Sequence, residues 1–136
     1  MLAYIADLYA DLVPRPLDAG QFVPPSGTFL LLDVDGAAAA CGGVRACGVA
    51  GRVGELKRLW VEPEHRNKGL ARQLLACLEA RAVELGYERL YLHTGPLQAA
   101  AMRLYESSGF RSIPNYGTNA ASTFLHSYEK VLTAPA

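Results

Sequence analysis

The stretch Glu55–Leu85, ELKRLWVEPEHRNKGLARQLLACLEARAVEL, constrains this chain more than any other. Bulky residues from Glu55 to Val61 suit a strand, and Pro63, which cannot donate to a sheet ladder, ends it. Apolar residues then recur at 70, 71, 74, 75, 78, 82 and 85. That is the spacing of an amphipathic helix, with Arg72, Gln73, Glu79, Arg81 and Glu84 left for its wet side. A strand and a long helix leading to a further strand at Arg89–Thr94 form a crossover, which should be right-handed and parallel.

The remaining segments supply strands on both sides of that unit. Thr28 to Val34 and Ala37 to about Cys47 are predicted strands joined by the hairpin signal Asp35-Gly36. Glycines 48, 51 and 54 turn the chain into the strand at Glu55, which makes an antiparallel meander. After the long helix, Gly86 caps and Arg89–Thr94 follows. Leu97, Ala100, Ala101, Leu104 and Tyr105 then recur at helical spacing until Gly109. Phe110–Ile113 and Phe124–Leu132 complete the strands, around the polar loop PNYGTNAAS. Residues 1 to 13 carry apolar positions 2, 5, 8, 9, 12 and 13, a short helix ended by Pro14 and Pro16. The expectation is a single α/β domain over residues 1–136, with a mixed, mostly antiparallel central sheet flanked by helices.

Composition narrows the partners. Thirteen basic and thirteen acidic residues leave no net charge, so nothing global draws the chain to nucleic acid or an anionic membrane, and any anion site must be local. The three cysteines, Cys41, Cys47 and Cys77, show no C-x-x-C spacing. On one strand Cys41 and Cys47 would lie roughly 20 Å apart at about 3.3 Å per residue, beyond disulfide reach. Reduced thiols and a soluble cytoplasmic protein follow as expectations, with Cys77 on the helix's inner stripe. His65, His93 and His126 lack zinc-ligand spacing.

The turn ahead of the long helix is the most informative piece. A helix start exposes unpartnered N–H groups and about half a positive charge. Gly69 and the small Ala71 would let a phosphate reach those amides, and Arg66 and Lys68 add charge. The residues allow either a pyrophosphate cradle or an ordinary strand-to-helix turn with a solvated basic face. No Walker phosphate loop or dinucleotide glycine fingerprint is present.

The motif R-x-x-G-x-A at Arg66, Gly69 and Ala71 resembles the acetyl-coenzyme A signature of the GNAT N-acetyltransferase family, Q/R-x-x-G-x-G/A. A second block, Thr94 to Phe110, resembles N-x-x-A-x-x-L-Y-x-x-x-G-F, matching at Ala101, Leu104, Tyr105, Gly109 and Phe110 with Gln98 in the asparagine position. The resemblance implies acetyl-coenzyme A as acetyl donor, held by Leu59, Trp60, Val61, Arg66, Asn67, Lys68, Gly69, Leu70, Ala71, Arg72, Gln98, Ala101 and Tyr105. It implies transfer by direct attack to a primary amine of a small molecule or peptide, with Val61's backbone N–H as oxyanion donor. Glu55 is the base it implies, although a carboxylate ion-paired with Lys57 or Arg58 has the same signature. Tyr105 is the acid it implies, or else a core aromatic. His93, at a strand end where two parallel strands would separate, is a second candidate for base, and Asn115, Tyr116, Thr118 and Asn119 could line an acceptor pocket. A coenzyme A-binding or sensing module without turnover is the alternative. Family members usually begin with a strand ahead of the first helix, whereas this chain starts on the helix. That strand is expected to be absent or replaced, which leaves a homodimer open.

Overall fold

A computed structural model describes residues 22, 25–49, 51–95, 99–117, 120–122 and 125–132. The helix expected over residues 1 to 13, Gln98, Thr118 and Asn119 lie outside them. Six strands and two α-helices are described, with a 3-10 turn at Pro63–His65: β1 (Thr28–Val34), β2 (Ala37–Ala46), β3 (Val53–Val61), α1 (Leu70–Glu84), β4 (Arg89–Thr94), α2 (Ala99–Ser107), β5 (Arg111–Ile113) and β6 (His126–Val131). They form one sheet in the order β1-β2-β3-β4-β6-β5. Only β3 and β4 run parallel; the pairs β1–β2, β2–β3, β4–β6 and β5–β6 are antiparallel.

Local chemistry accounts for the joints. Asp35 and Gly36 both have positive φ (53° and 82°), the backbone of a two-residue turn whose twist matches the strands it links. Both helices end in the same left-handed glycine cap. Tyr87 N–H reaches Ala82 O and Gly86 N–H reaches Val83 O; Phe110 N–H reaches Tyr105 O and Gly109 N–H reaches Glu106 O. At the second cap the Tyr105 and Phe110 rings also meet, 5.9 Å between centroids.

The two faces of the sheet differ in chemistry. Leu74, Leu75, Leu78 and Ala82 of α1 join Leu56, Leu90, Leu92 and Tyr128 in the buried core. Gly42 keeps that contact close, since a Cβ there would sit 2.9 Å from Leu59 and 3.0 Å from Leu78. Cys77 departs from the expected inner stripe and is exposed. At about 100° per residue it points roughly 110° away from the middle of the stripe that Leu74, Leu75, Leu78 and Ala82 define. Strand alternation sends Glu55, Tyr91, His93, Ser127 and Glu129 to the opposite face.

Candidate active site

The sheet opens where its two parallel strands part. Pairing of β3 with β4 covers Val53–Arg89, Gly54–Leu90 and Glu55–Tyr91 and then stops. Both strands nonetheless continue, to Val61 and to Thr94. A bulge precedes this end of β3: the register steps from Gly43–Lys57 to Cys41–Trp60, and Arg58 takes a φ of 62° to accommodate the extra residue. Beyond the bulge Glu62 N–H bonds Ala39 O on β2 (2.8 Å), so alternation turns the N–H groups of Leu59 and Val61 toward the gap.

Helix α1 begins beside that strand end. Its N-cap, Gly69, has φ 80°, and Asn67 before it has φ 62°. Gln73 N–H makes a 3.1 Å bond to Gly69 O, so the amides of Leu70, Ala71 and Arg72 precede any intrahelical partner. An added Cβ at Gly69 would meet nothing within 4 Å, so the approach to these amides is open. The neighbouring cations divide their work. Lys68 is exposed, whereas Arg66 donates Nε to Val61 O at 2.9 Å and lies over the Trp60 ring, 4.8 Å from its centroid. Arg72 crosses to α2's end, donating to Ser107 Oγ (2.9 Å) and Ser108 Oγ (3.3 Å).

Glu55 is the last β3 residue paired with β4, and it is 4% exposed. Its Oε1 accepts Nε and a terminal guanidinium nitrogen of Arg45 at 3.1 and 3.0 Å, with Lys57 Nζ at 3.7 Å. Its Oε2 accepts the Tyr116 hydroxyl at 2.7 Å and faces His93 Nε2 at 3.8 Å. The His93 and Tyr116 rings stack at 4.1 Å. Burial lowers the His93 pKa, which favours neutral imidazole, and Lys57 pushes the same way against Glu55. Burial, then the hydrogen bond to Glu55, raises that of Tyr116, so it stays a donor. The ion-pair alternative thus holds in part: Lys57 is a partner, but the close one is Arg45, directly opposite on β2, and not Arg58.

Tyr105, on α2, is 7% exposed between Phe110 and Tyr128, and burial pushes its pKa up to about 12. Ala101 packs half-buried against the core on the same helix. Burial also pushes Cys41 and Cys47 up to about 11, which leaves both as thiols.

The model of the acetyltransferase (GNAT) family matches residues 3–110. The chain belongs to the GNAT acetyltransferase family. It is 33% identical over 125 residues to an IAA acetyltransferase of Azospirillum brasilense, covering 90% of this chain and 81% of that one. Among solved structures it superposes with TM-score 0.81 and 32% identity on a Klebsiella pneumoniae protein described as an acyl-CoA N-acyltransferase, covering 97% and 89% of the two chains. A Salmonella typhimurium acetyltransferase solved with acetyl-CoA shares the fold at 22% identity and TM-score 0.71, covering 98% and 86%.

In this GNAT chain the structure brings Glu55, His93 and Tyr116 together and sets the Val61 end of β3 beside the start of α1. Sequence reading did not single out Arg45 or Ser127. Arg45 had no signal, because its role depends on β2 register. Ser127 sits in the mainly polar strand His126–Val131, where nothing local sets it apart. Among the described residues no three His, Cys, Asp or Glu side chains cluster to hold a metal. No described helix is long and apolar enough to cross a membrane.

Proposed function

We propose that this GNAT acetyltransferase moves an acetyl group from acetyl-coenzyme A to a primary amine by direct attack, at the gap between β3 and β4. The observation that carries the reading is the parting of these strands after Glu55, next to a helix start whose first amides are open. Leu70, Ala71 and Arg72 N–H groups, with Lys68, fit a diphosphate by hydrogen bonding and charge. The N–H groups of Leu59 and Val61 offer the unused edge of a strand, and the family pattern adds Trp60, Arg66, Asn67, Gly69, Gln98 and Ala101 around the same ligand. Coenzyme A supplies the activated thioester and a thiolate leaving group.

The residues of this chain then have distinct tasks. Val61 N–H faces the acyl oxygen as its negative charge grows, an effect worth ~10²–10³ in rate for one well-placed donor. As the amine nitrogen bonds the acyl carbon and the C–S bond breaks, the nitrogen's proton passes to the Glu55–His93 pair. Tyr105, a protonated phenol at neutral pH, gives its proton to the departing sulfur. Free thiol release from acetyl-coenzyme A should appear with some members of a panel of amines, amino acids and peptides. Coenzyme A at about a hundred times its Kd should also raise the melting temperature by several degrees, reflecting about 2.7 kcal/mol. No shift would overturn the cofactor site; a shift without turnover on any amine would leave a coenzyme A-binding module.

A further inference from the structure

The two oxygens of Glu55 accept from Arg45 and Tyr116, and the imidazole of His93 lies beside them. Three side chains away, a hydrogen-bond chain has a direction that can be read from its far end. Asn115 Nδ2 donates to two main-chain carbonyls, Ser122 O at 3.1 Å and Leu125 O at 3.0 Å. Turning the amide over would set its oxygen against both, so Asn115 Oδ1 is fixed as an acceptor. The Ser127 hydroxyl lies against that Oδ1 and donates its single proton to it. Ser127 Oγ can then only accept from its other neighbour, His93 Nδ1, at 2.8 Å. The opposite order would press two lone pairs together inside the sheet, where Ser127 is 2% exposed.

We infer that Asn115 and Ser127 are positioning residues that hold neutral His93 with its proton on Nδ1, making Nε2 the atom that accepts the amine's proton. A competing pull exists, since Nε2–H could face Glu55 Oε2. That separation is 3.8 Å, beyond hydrogen-bond length, so the 2.8 Å contact to Ser127 prevails. Once Nε2 takes the proton, the imidazolium faces the Glu55 carboxylate, which favours the charged form at the moment it is needed. His93 lies on β4 two residues past Tyr91, the last residue paired with β3, which places it at the opening of the gap. The groups that bear on it are Glu55 and Lys57 from β3, Arg45 from β2 through Glu55, Ser127 from β6 and Tyr116 from the loop.

The inference deepens the proposed reaction and rests on it for the identity of the proton donor, but the tautomer can be measured without turnover. Long-range proton–nitrogen NMR correlations of the full chain, with the His93 signals assigned by their loss in His93→Gln, distinguish Nδ1–H from Nε2–H. The Nδ1–H form should dominate by about tenfold or more; a dominant Nε2–H form would overturn the assignment. Ser127→Ala should raise the Nε2–H share and lower kcat/KM by about tenfold or more, and Ser127→Thr, which keeps the hydroxyl, should restore both. A folded Ser127→Ala protein with unchanged tautomer and unchanged kcat/KM would also overturn it. If no amine is acetylated, the enzyme reading fails while the NMR result still decides the relay.

Discussion

Two buried glutamates lie on one face of this sheet, one on each side of Tyr91: Glu55 on β3 and Glu129 on β6. They are 4% and 3% exposed, and in each one carboxylate oxygen is gripped by an arginine of the adjacent strand, Arg45 for Glu55 and Arg111 for Glu129. The second oxygens differ. That of Glu129 faces another cation, Arg89, at 3.5 Å, whereas that of Glu55 accepts a hydrogen bond from a phenol and faces an imidazole. A carboxylate with cations on both oxygens has its charge fully matched and nothing left to exchange. A carboxylate with one oxygen turned to an imidazole, a group that can gain a proton, can respond to chemistry. Burial and an arginine clamp are therefore common to both carboxylates, and what differs is the company of the other oxygen.

The largest expected effect is on the partner that only Glu55 has. His93→Gln should lower kcat/KM by ~10²–10⁴ with little change in melting temperature, because the proposed general base is removed from a site whose packing survives. Glu55→Gln should lower kcat/KM by about 10–10²-fold, through loss of the charge that faces the imidazolium. Glu129→Gln should leave kcat/KM within about twofold and instead reduce stability by about 1–3 kcal/mol, measured by urea unfolding. That range is discounted because Arg89 and Arg111 are 48% and 73% exposed and can rehydrate. Equal activity losses in Glu55→Gln and Glu129→Gln would erase the distinction.

Smaller effects sharpen it. The fold lowers the His93 pKa, so the unfolded chain binds its proton more readily. Stability from this residue is therefore complete above the unfolded value of about 6.5 and is lost as pH falls through the folded value. Urea midpoints between pH 7.5 and 5 should drop less in His93→Gln than in the natural sequence. Tyr105→Phe should change kcat by less than about tenfold, because a coenzyme thiol near pKa 8.5 leaves readily unaided. A larger loss at pH 7 would make protonation of sulfur a limiting step.

Much of the scaffold was legible because its signals are local. The hairpin at Asp35-Gly36, the stop at Pro63, the period of α1 and the glycine caps at 86 and 109 each depend on a few neighbouring residues, and β1, β4 and α1 fall at or within a residue of where those signals put them. The Arg66, Gly69 and Ala71 spacing also carried the family. The surroundings of Glu55 and His93 were harder. Asn115 and Tyr116 were visible only as members of a polar loop, and Arg45 and Ser127 gave no signal.

By itself, then, the order of residues determined the strand, turn and helix of the proposed anion cradle, since each is dictated by backbone geometry over a few positions. Tertiary structure alone decided which His93 nitrogen the proposed relay leaves open to a proton. The choice depends on hydrogen bonds that join β4, β6 and the loop after β5, from His93 through Ser127 to Asn115. A hydroxyl has one proton to give, and only when the chain closes does its surrounding set the direction in which it is given.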